Sequence, residues 1–533
     1  MGIRQIFKFK TSHIKFSIIF STLLYVVCNA INIDKITKWF YLGDQLDYLG
    51  LISYLVAGLC LFIVFFILLA HRWTIKPLAI SLVILSAAAT YFISKYNVAV
   101  DTSMLMNTVH TDVTEVGSLL SVYMLPYVLF LIILPIYLIL KVEITFNRPV
   151  KYLFSSLMVG VIALAIGATS LYSQFTSIHR AGNASHKYII HSLVPVNIIR
   201  SIVSATSNTI KPYLQKYKEE VVITGRVTSQ EDLVVVLVVG ETSRQKSFSL
   251  YGYDREDTNP VLAKTKDLHL LNGIARLGST LYALPEIFEK DDIKLPAIVS
   301  KVGIDTSCYV NYTLYDNCTS VGEVKVENCK HDGECYDEDV LPLLEKNLNS
   351  YVSGYRFVVL HLGGGSHGPV YSDRHPPEFL KFKPYCNDAD VINQCTPEEI
   401  YNSYDNTILY VDYVLGEIIH QLENSGAPYV FMYLSDHGES LLEDDRIFHG
   451  MPPGISLPSE QAQIPLIVKS SIPISIVKRD EYLQQDIFDT VLDLFSIETD
   501  LFTKERSFIK KHNGEVKHLE IVRKESDNLD LVN

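Results

Sequence analysis

The sequence predicts an α-helical membrane domain of five spans, followed by an α/β domain whose mainly parallel sheet is sandwiched by helices. Three observations lead to this expectation. The 533 residues are 48% hydrophobic and 20% charged, residues 1–176 contain five long apolar runs, and the later sequence contains short, continuous β-branched segments. We expect a transmembrane domain at 1–176, an amphipathic bridging linker at 177–225 and an outer domain at 226–533.

Charge divides the chain in the same place. Residues 1–176 hold 12 Lys and Arg against 7 Asp and Glu, whereas the remainder holds 34 against 52. The apolar first part excludes an all-soluble enzyme, a disordered chain and a coiled coil. The acidic second part argues against a nucleic-acid partner, because it would repel a phosphate backbone.

The five apolar runs are candidate membrane spans at 16–33, 48–70, 78–93, 119–140 and 152–176. Most of them reach the ~20 residues that a helix needs to cross a bilayer core. Nine Lys and Arg lie at the N-terminus and in the loops after the second and fourth spans, against three in the opposite loops. The richer side is cytoplasmic by the positive-inside rule, so five crossings place everything after residue 176 outside the cytoplasm.

The cysteines agree with that placement. Six of them follow the spans, at positions 308, 318, 329, 335, 386 and 395. An even number of closely spaced cysteines in an oxidising compartment indicates disulfides, and sequence neighbours suggest the pairs 308–318, 329–335 and 386–395. The alternative is a metal cluster, but it would need a Cys-x₂-Cys type of spacing that this sequence lacks.

Polar residues follow three of the predicted strands. Apolar β-type segments lie at 233–239, 357–362, 429–434 and 464–468, and a helical pattern lies at 398–422. Glu241 follows the first segment, His367 the second, and Asp436 with His437 the third. Ligands of open α/β sheets bind beyond the carboxyl ends of the strands, and carboxylates with imidazoles suit zinc. Any one of these features alone is more typical of an ordinary turn.

Four sequence motifs resemble one known family. They are residues 240–244 (Gly-Glu-Thr-Ser-Arg), 403–407 (Ser-Tyr-Asp-Asn-Thr), 435–441 (Ser-Asp-His-Gly-Glu-Ser-Leu) and 448–450 (Phe-His-Gly). The chain resembles the lipid A-modifying type of phosphoethanolamine transferase, within the alkaline phosphatase/sulfatase superfamily. The resemblance extends from the spans to about residue 500, and it implies an alkaline phosphatase/sulfatase-like outer domain.

The resemblance implies a Zn²⁺ ion held by Glu241, Asp436, His437 and a nucleophilic Thr. Thr280 takes that role because it stands five residues before Pro285, as the nucleophile does in the family. Arg276 and Glu286 stand where relatives carry cysteines, so the disulfide that braces the nucleophile is missing. The alternative for Thr280 is an ordinary helix N-cap.

The resemblance also implies the reaction. Phosphatidylethanolamine is the donor, a phospho-Thr280 species is the intermediate, and lipid A is the acceptor. His367 and His449 match positions that contact the phosphoethanolamine group or a second zinc. The enzyme is expected in the bacterial inner membrane as a monomer, with its catalytic domain in the periplasm.

Asn107, Thr111 and Glu115 recur every four residues, which places them on one helix face. The resemblance makes them contacts of the lipid head group, with Glu115 suited to the ethanolamine ammonium. The alternative is a solvated polar face at the membrane surface.

Other functions stay open at this point. The same chemistry could act on a core sugar, a periplasmic glycan or a surface protein, and a related five-span enzyme polymerises glycerol phosphate. A membrane scaffold without catalytic activity is a third class, which the combination of Glu241, Thr280, Asp436 and His437 disfavours. A true sulfatase would need a Cys/Ser-x-Pro-x-Arg frame, and none surrounds Thr280.

Overall fold

A computed structural model of the chain describes residues 9–511, apart from 99, 103, 105–121, 186–187, 215–224, 230, 312–316, 327–334, 364–367, 369 and 389. The chain divides into two compact units. The first comprises Met1–Lys218, Asp388–Cys395 and Leu441–Ser456, and the second comprises Glu219–Asn387, Thr396–Ser440 and Leu457–Asn533. The domain boundaries that the sequence suggests at 176 and 225 stay predictions.

The first unit contains five helices that are long and apolar enough to cross a membrane. They are α1 (His13–Ile31), α2 (Tyr48–Leu69), α3 (Ile75–Tyr96), α4 (Val122–Lys141) and α5 (Pro149–Ser173). The five predicted spans are therefore confirmed. Helix α3 is longer than the apolar run at 78–93, because Lys76 and Lys95 near its ends are helical as well.

Shorter elements complete the first unit. Helices α6 (Phe175–Ala184) and α7 (Val196–Leu214) follow the spans, and Ile33–Thr37 forms a short helix after α1. Phe9–Ser12 pairs with Val142–Thr145 in a parallel two-stranded sheet, and Tyr41–Leu42 pairs with Gln45–Leu46. The segment Leu441–Ser456 also packs here, with the ring of Phe448 5.5 Å from that of Tyr96.

An eight-stranded sheet forms the centre of the second unit. Its strands are β1 (Leu233–Gly240), β2 (His269–Ile274), β3 (Asp305–Val310), β4 (Glu323–Lys325), β5 (Tyr355–His361), β6 (Tyr429–Ser435), β7 (Gln463–Ser470) and β8 (Tyr482–Leu483), and their order across the sheet is β4-β3-β5-β1-β6-β7-β2-β8. Strand β1 lies between β5 and β6 and is parallel to both. The carboxyl ends of these three strands therefore meet at one edge.

The strand predicted at 464–468 departs from the parallel pattern. It belongs to β7, which is antiparallel to both β6 and β2. The expectation of a parallel partner fails here because the connecting residues 436–462 contain a small two-stranded sheet, a single 3-10 turn and the short helix Ser459–Ala462, and no helix long enough for a crossover. The sheet is nevertheless mainly parallel, as predicted.

Helices cover the sheet. Alternate residues of β1, Leu233, Val235, Leu237 and Val239, share one buried cluster with α8 (Thr280–Phe288), α9 (Leu295–Lys301) and α12 (Asp486–Leu494). The intervening valines of β1 are equally buried on the opposite face. Helices α10 (Leu341–Asn349) and α11 (Pro397–Ser425) complete the unit. A strand buried on both faces explains the unbroken apolar sequence of β1.

One predicted disulfide is resolved as a pair. Cys308 in β3 is bonded to Cys318, as the spacing suggests. Cys335, Cys386 and Cys395 are disulfide-bonded too, whereas Cys329 lies outside the described residues.

Candidate active site

Glu241 lies in the turn that directly follows β1. The turn bends sharply, because Thr242 adopts a left-handed conformation with φ of +54°. Such a backbone is uncommon for a β-branched residue and must be held by its surroundings. The amide of Thr242 donates to Oδ1 of Asp436 at 2.9 Å, and the amide of Ser243 donates to Oγ of Ser435 at 2.8 Å. The ends of β1 and β6 are thus joined by side chains.

Asp436 and His437 follow β6 directly. Both are fully buried, and the amide of Asp436 donates to the carbonyl of Gly240 at 3.0 Å. Nδ1 of His437 lies 3.0 Å from the carbonyl oxygen of Gly438. That contact fits an Nδ1–H donor, which leaves Nε2 in the form that binds a metal ion.

The three predicted ligands converge at this edge of the sheet. One ligand atom from each of Glu241, Asp436 and His437 lies within 4.8 Å of the other two. Nε2 of His437 is 3.2 Å from Oδ2 of Asp436 and 3.9 Å from Oε1 of Glu241. Burial, and next the neighbouring Asp436 carboxylate, raise the pKa of Glu241 well above its usual range.

These side chains fit a metal cation. Among the described residues, Oε2 of Glu241 and Oδ2 of Asp436 are buried and accept no hydrogen bond. Two buried carboxylates without full partners carry a large desolvation cost, which a cation between them would offset. Two carboxylates and one imidazole are also a donor set that zinc accepts. The second unit therefore has a cluster built for a metal cofactor.

Thr280 lies beside the same cluster. It is the first residue of α8, and Ser279 occupies the N-cap position. Its hydroxyl Oγ1 donates a hydrogen bond to Oε1 of Glu241 at 2.8 Å. Thr280 is therefore not the N-cap residue, and its hydroxyl is directed at a predicted ligand.

Helix α8 is held in place by apolar packing. Its residues Leu284, Ile287 and Phe288 are fully buried in the cluster that covers one face of the sheet. Packing of these side chains against the sheet holds the helix that carries Thr280.

Two further polar residues at the site were not singled out from the sequence. His361 is the last residue of β5, and its Nε2 lies 3.9 Å from Oε2 of Glu241. Its position at a strand end, just before a glycine-rich stretch, was the available signal. Gln484 donates from Nε2 to the carbonyl oxygens of Ser435 and Asp436. No motif surrounds Gln484, so the sequence held no signal for it.

Five further residues are predicted to bind the substrate. Asn107, Thr111, Glu115 and His367 fall outside the described residues. His449 is half-buried and follows the short strand Ile447–Phe448, in a segment that belongs to the first unit. Their predicted roles stay predictions.

The chain is similar to curated proteins over most of its length. It is 31% identical over 474 residues to "Phosphoethanolamine transferase EptA" of Escherichia coli strain K12, which covers 80% of this chain and 84% of that protein. It is 28% identical over 528 residues to "Phosphatidylethanolamine transferase Mcr-1" of Escherichia coli, covering 92% and 96%. The chain belongs to the phosphoethanolamine transferase family.

Two family models and a solved structure also match this phosphoethanolamine transferase. Residues 58–210 match the family "Phosphoethanolamine transferase EptA/EptB", and residues 290–497 match "Sulfatase". A solved structure, the integral membrane protein lipooligosaccharide phosphoethanolamine transferase A of Neisseria meningitidis, is 25% identical with a TM-score of 0.79, covering 94% of this chain and 98% of that one. The predicted family, fold and enzyme class are confirmed. The transferase is a multi-pass protein of the bacterial inner membrane with a periplasmic catalytic domain.

Proposed function

We propose that this transferase moves phosphoethanolamine from phosphatidylethanolamine to lipid A by way of a covalent intermediate on Thr280. One observation carries the proposal: the Thr280 hydroxyl is hydrogen-bonded to Glu241 at 2.8 Å, beside the buried Asp436 and His437. A hydroxyl placed next to a metal cluster is the arrangement of an activated nucleophile.

In the first step, Oγ1 of Thr280 attacks the phosphorus of phosphatidylethanolamine. The Thr280 O–P bond forms, the bond from phosphorus to the glycerol oxygen breaks, and diacylglycerol leaves as an alcohol. The Thr280 proton lies on its hydrogen bond to Oε1 of Glu241, which is the first acceptor in its path. The leaving glycerol oxygen takes up the proton that Thr280 gave to Glu241, so Glu241 is deprotonated again and the protons balance.

In the second step, an oxygen of lipid A attacks the same phosphorus. The new O–P bond forms to lipid A and the Thr280 O–P bond breaks. Oγ1 of Thr280 takes up the proton that the attacking lipid A oxygen gives off, by way of Glu241, which restores the hydroxyl. Thr280 is the first residue of α8, and the N-terminus of a helix favours an anion, because the amides of its first turn lack partners within the helix. The scheme is a two-step exchange at one side chain.

Glu241, Asp436, His437 and Thr280 would hold the metal ion, which we take to be Zn²⁺. Bound zinc supplies Lewis acidity, which lowers the pKa of a neighbouring hydroxyl group and offsets negative charge on the phosphoryl group. The support from this chain is the pair of buried carboxylate oxygens that accept no hydrogen bond from the described residues.

Substrate recognition belongs to a second set of residues in this proposal. Asn107, Thr111 and Glu115 contact the head group of the donor lipid, and the Glu115 carboxylate pairs with its ammonium. His367 and His449 contact the phosphoethanolamine group. The transferase acts as a monomer. We favour lipid A as the acceptor because the chain resembles the lipid A-modifying type of this family, and the similar Neisseria protein is named for lipooligosaccharide.

Mass spectrometry of lipid A tests the acceptor. We compare lipid A from cells that express the wild type, Thr280→Ala, Thr280→Ser or Glu115→Gln. The wild type should add phosphoethanolamine, Thr280→Ala should abolish the addition, and Thr280→Ser should keep part of it because a hydroxyl remains. Glu115→Gln should lower the addition by weakening donor binding.

An equal amount of phosphoethanolamine on lipid A in wild type and Thr280→Ala would contradict lipid A as the acceptor. The same cells would then be searched for phosphoethanolamine on core sugars, periplasmic glycans and surface proteins. Glycerol phosphate polymer in place of phosphoethanolamine would indicate the related polymerase reaction.

A further inference from the structure

The motif at 403–407 lies on α11 next to the candidate metal centre, and the proposed reaction assigns no role to its residues. Its Tyr404 is fully buried. The Tyr404 hydroxyl donates to the carbonyl oxygen of Thr242 at 2.7 Å and accepts from the amide of Arg244 at 2.9 Å. One hydroxyl thus binds both sides of the turn that starts at Glu241.

We propose that Tyr404 is a positioning residue, which holds the turn 241–244 in the conformation that brings Glu241 to Asp436 and His437. The inference rests on the proposed function in taking Zn²⁺ as the metal. By this inference Tyr404, which lies on α11 and not at a strand end, contributes to the metal affinity of the site together with the proposed ligands.

The turn needs such support because of its backbone. Thr242 is in the left-handed region, where a β-branched residue is disfavoured. Its amide and that of Ser243 are held by Asp436 and Ser435, but those partners belong to the same strand end as the metal ligands. They would shift together with the ligands, whereas Tyr404 is anchored on a separate helix.

Tyr404 itself is firmly placed. The edge of its ring meets the ring of Tyr371, with centroids 5.4 Å apart, and the Arg244 guanidinium lies 5.3 Å from its centroid. The pKa of Tyr404 is raised well above its usual range, mainly because the side chain is buried, so the hydroxyl keeps its proton. It can therefore donate to Thr242 and accept from Arg244 at the same time.

Tyr410 offers a matched control on the same helix. It is as fully buried as Tyr404, and its hydroxyl accepts from the amide of Glu338 at 2.9 Å, in the short 3-10 helix Asp337–Val340. Tyr404→Phe and Tyr410→Phe each remove one buried hydroxyl that accepts a backbone hydrogen bond. A merely structural role predicts similar effects from the two substitutions.

The test is a Zn²⁺ titration of the full-length protein in detergent. Each variant is stripped of metal and titrated in competition with a chromophoric chelator. Tyr404→Phe should raise the Kd for Zn²⁺ by at least about 10-fold, as expected for a residue that orients a ligand, and Tyr410→Phe should change it by less than about 3-fold. Tyr404→Phe should also lower kcat while leaving the KM for phosphatidylethanolamine unchanged.

Equal Zn²⁺ affinity in the two variants would overturn the proposal. Amide hydrogen exchange of the metal-free wild type gives a second measurement, which holds even if Tyr404→Phe does not fold. The Arg244 amide should be protected, and exchange at the rate of an open loop would overturn the proposal. Failure of the wild type to transfer phosphoethanolamine would reject the proposed function alone, because the titration does not depend on activity.

Discussion

Gly438 follows His437 where the chain has no room for a side chain. A Cβ atom at this position would lie 2.1 Å from the carbonyl oxygen of Glu460 and 3.1 Å from Cβ of Arg244. The first neighbour is backbone, so it cannot turn away as a side chain could. The amide of Gly438 also donates to the carbonyl of Gln461 at 2.8 Å. Close packing at Gly438 therefore fixes the backbone that carries His437.

We predict that Gly438→Ala destabilises the transferase and weakens its metal site. The Ala methyl group must displace backbone, which costs about 1–3 kcal/mol or more. Thermal unfolding of the full-length protein in detergent should show a melting temperature lower by roughly 2–5 °C. Gly182→Ala is the control, because a Cβ there meets no atom within 4 Å. A wild-type melting temperature for Gly438→Ala would contradict this account.

At the residue scale, strand ends and motifs were enough to select candidates. The structure brings Glu241, Asp436 and His437 together and places the Thr280 hydroxyl against Glu241. Their chemical roles stay predictions. Gln484 could not be selected, because it reaches the site only through the packing of distant segments and has no spacing pattern of its own.

Helix α11 joins its neighbours through buried polar groups as well as apolar ones. Asp412 on this helix is fully buried, and its carboxylate accepts from the amides of Val261 and Leu262 at 2.7 and 3.0 Å. Burial outweighs these two hydrogen bonds and raises the pKa of Asp412 from its usual 3.8 to about 7. The folded protein therefore holds this proton more tightly than the unfolded chain.

The raised pKa of Asp412 makes the stability of the folded protein depend on pH. The contribution of Asp412 is fully present below about pH 4 and is lost as the pH rises through about 7. Asp412→Asn does not titrate, so its melting temperature should rise relative to the wild type between pH 5 and pH 8. Asp267→Asn, at an exposed position, serves as the control. A difference between Asp412→Asn and wild type that stays constant with pH would contradict the prediction.

At the element scale, apolar segments predicted strands well and their direction less well. Strand β1 was recognisable because burial on both faces leaves an unbroken apolar sequence. Strand β7 has the same kind of sequence, yet it runs antiparallel to its neighbours. The pattern of apolar residues in a strand indicates whether its faces are buried. The direction of the strand relative to its neighbours depends on the connection between them.

At the scale of the whole molecule, composition predicted the division into membrane and outer parts. Five helices satisfy the length and apolarity of spans, and the acidic excess lies in the sequence that follows them. The assignment of the segments Asp388–Cys395 and Leu441–Ser456 to the first unit could not be predicted. The contacts of these two segments form only in the folded chain, and the segments are too short to carry a sequence periodicity that would predict them.

The covalent intermediate on Thr280 is the central claim, and mass spectrometry of the intact protein and of its proteolytic peptides tests it most directly. The zinc-loaded, full-length transferase is incubated with phosphatidylethanolamine and without acceptor. The account predicts an added mass of about 123 Da, as for one phosphoethanolamine group, on the peptide that contains Thr280, and no addition in Thr280→Ala. Transfer to lipid A by a wild type that never carries this mass, or that carries it on another residue, would contradict the account.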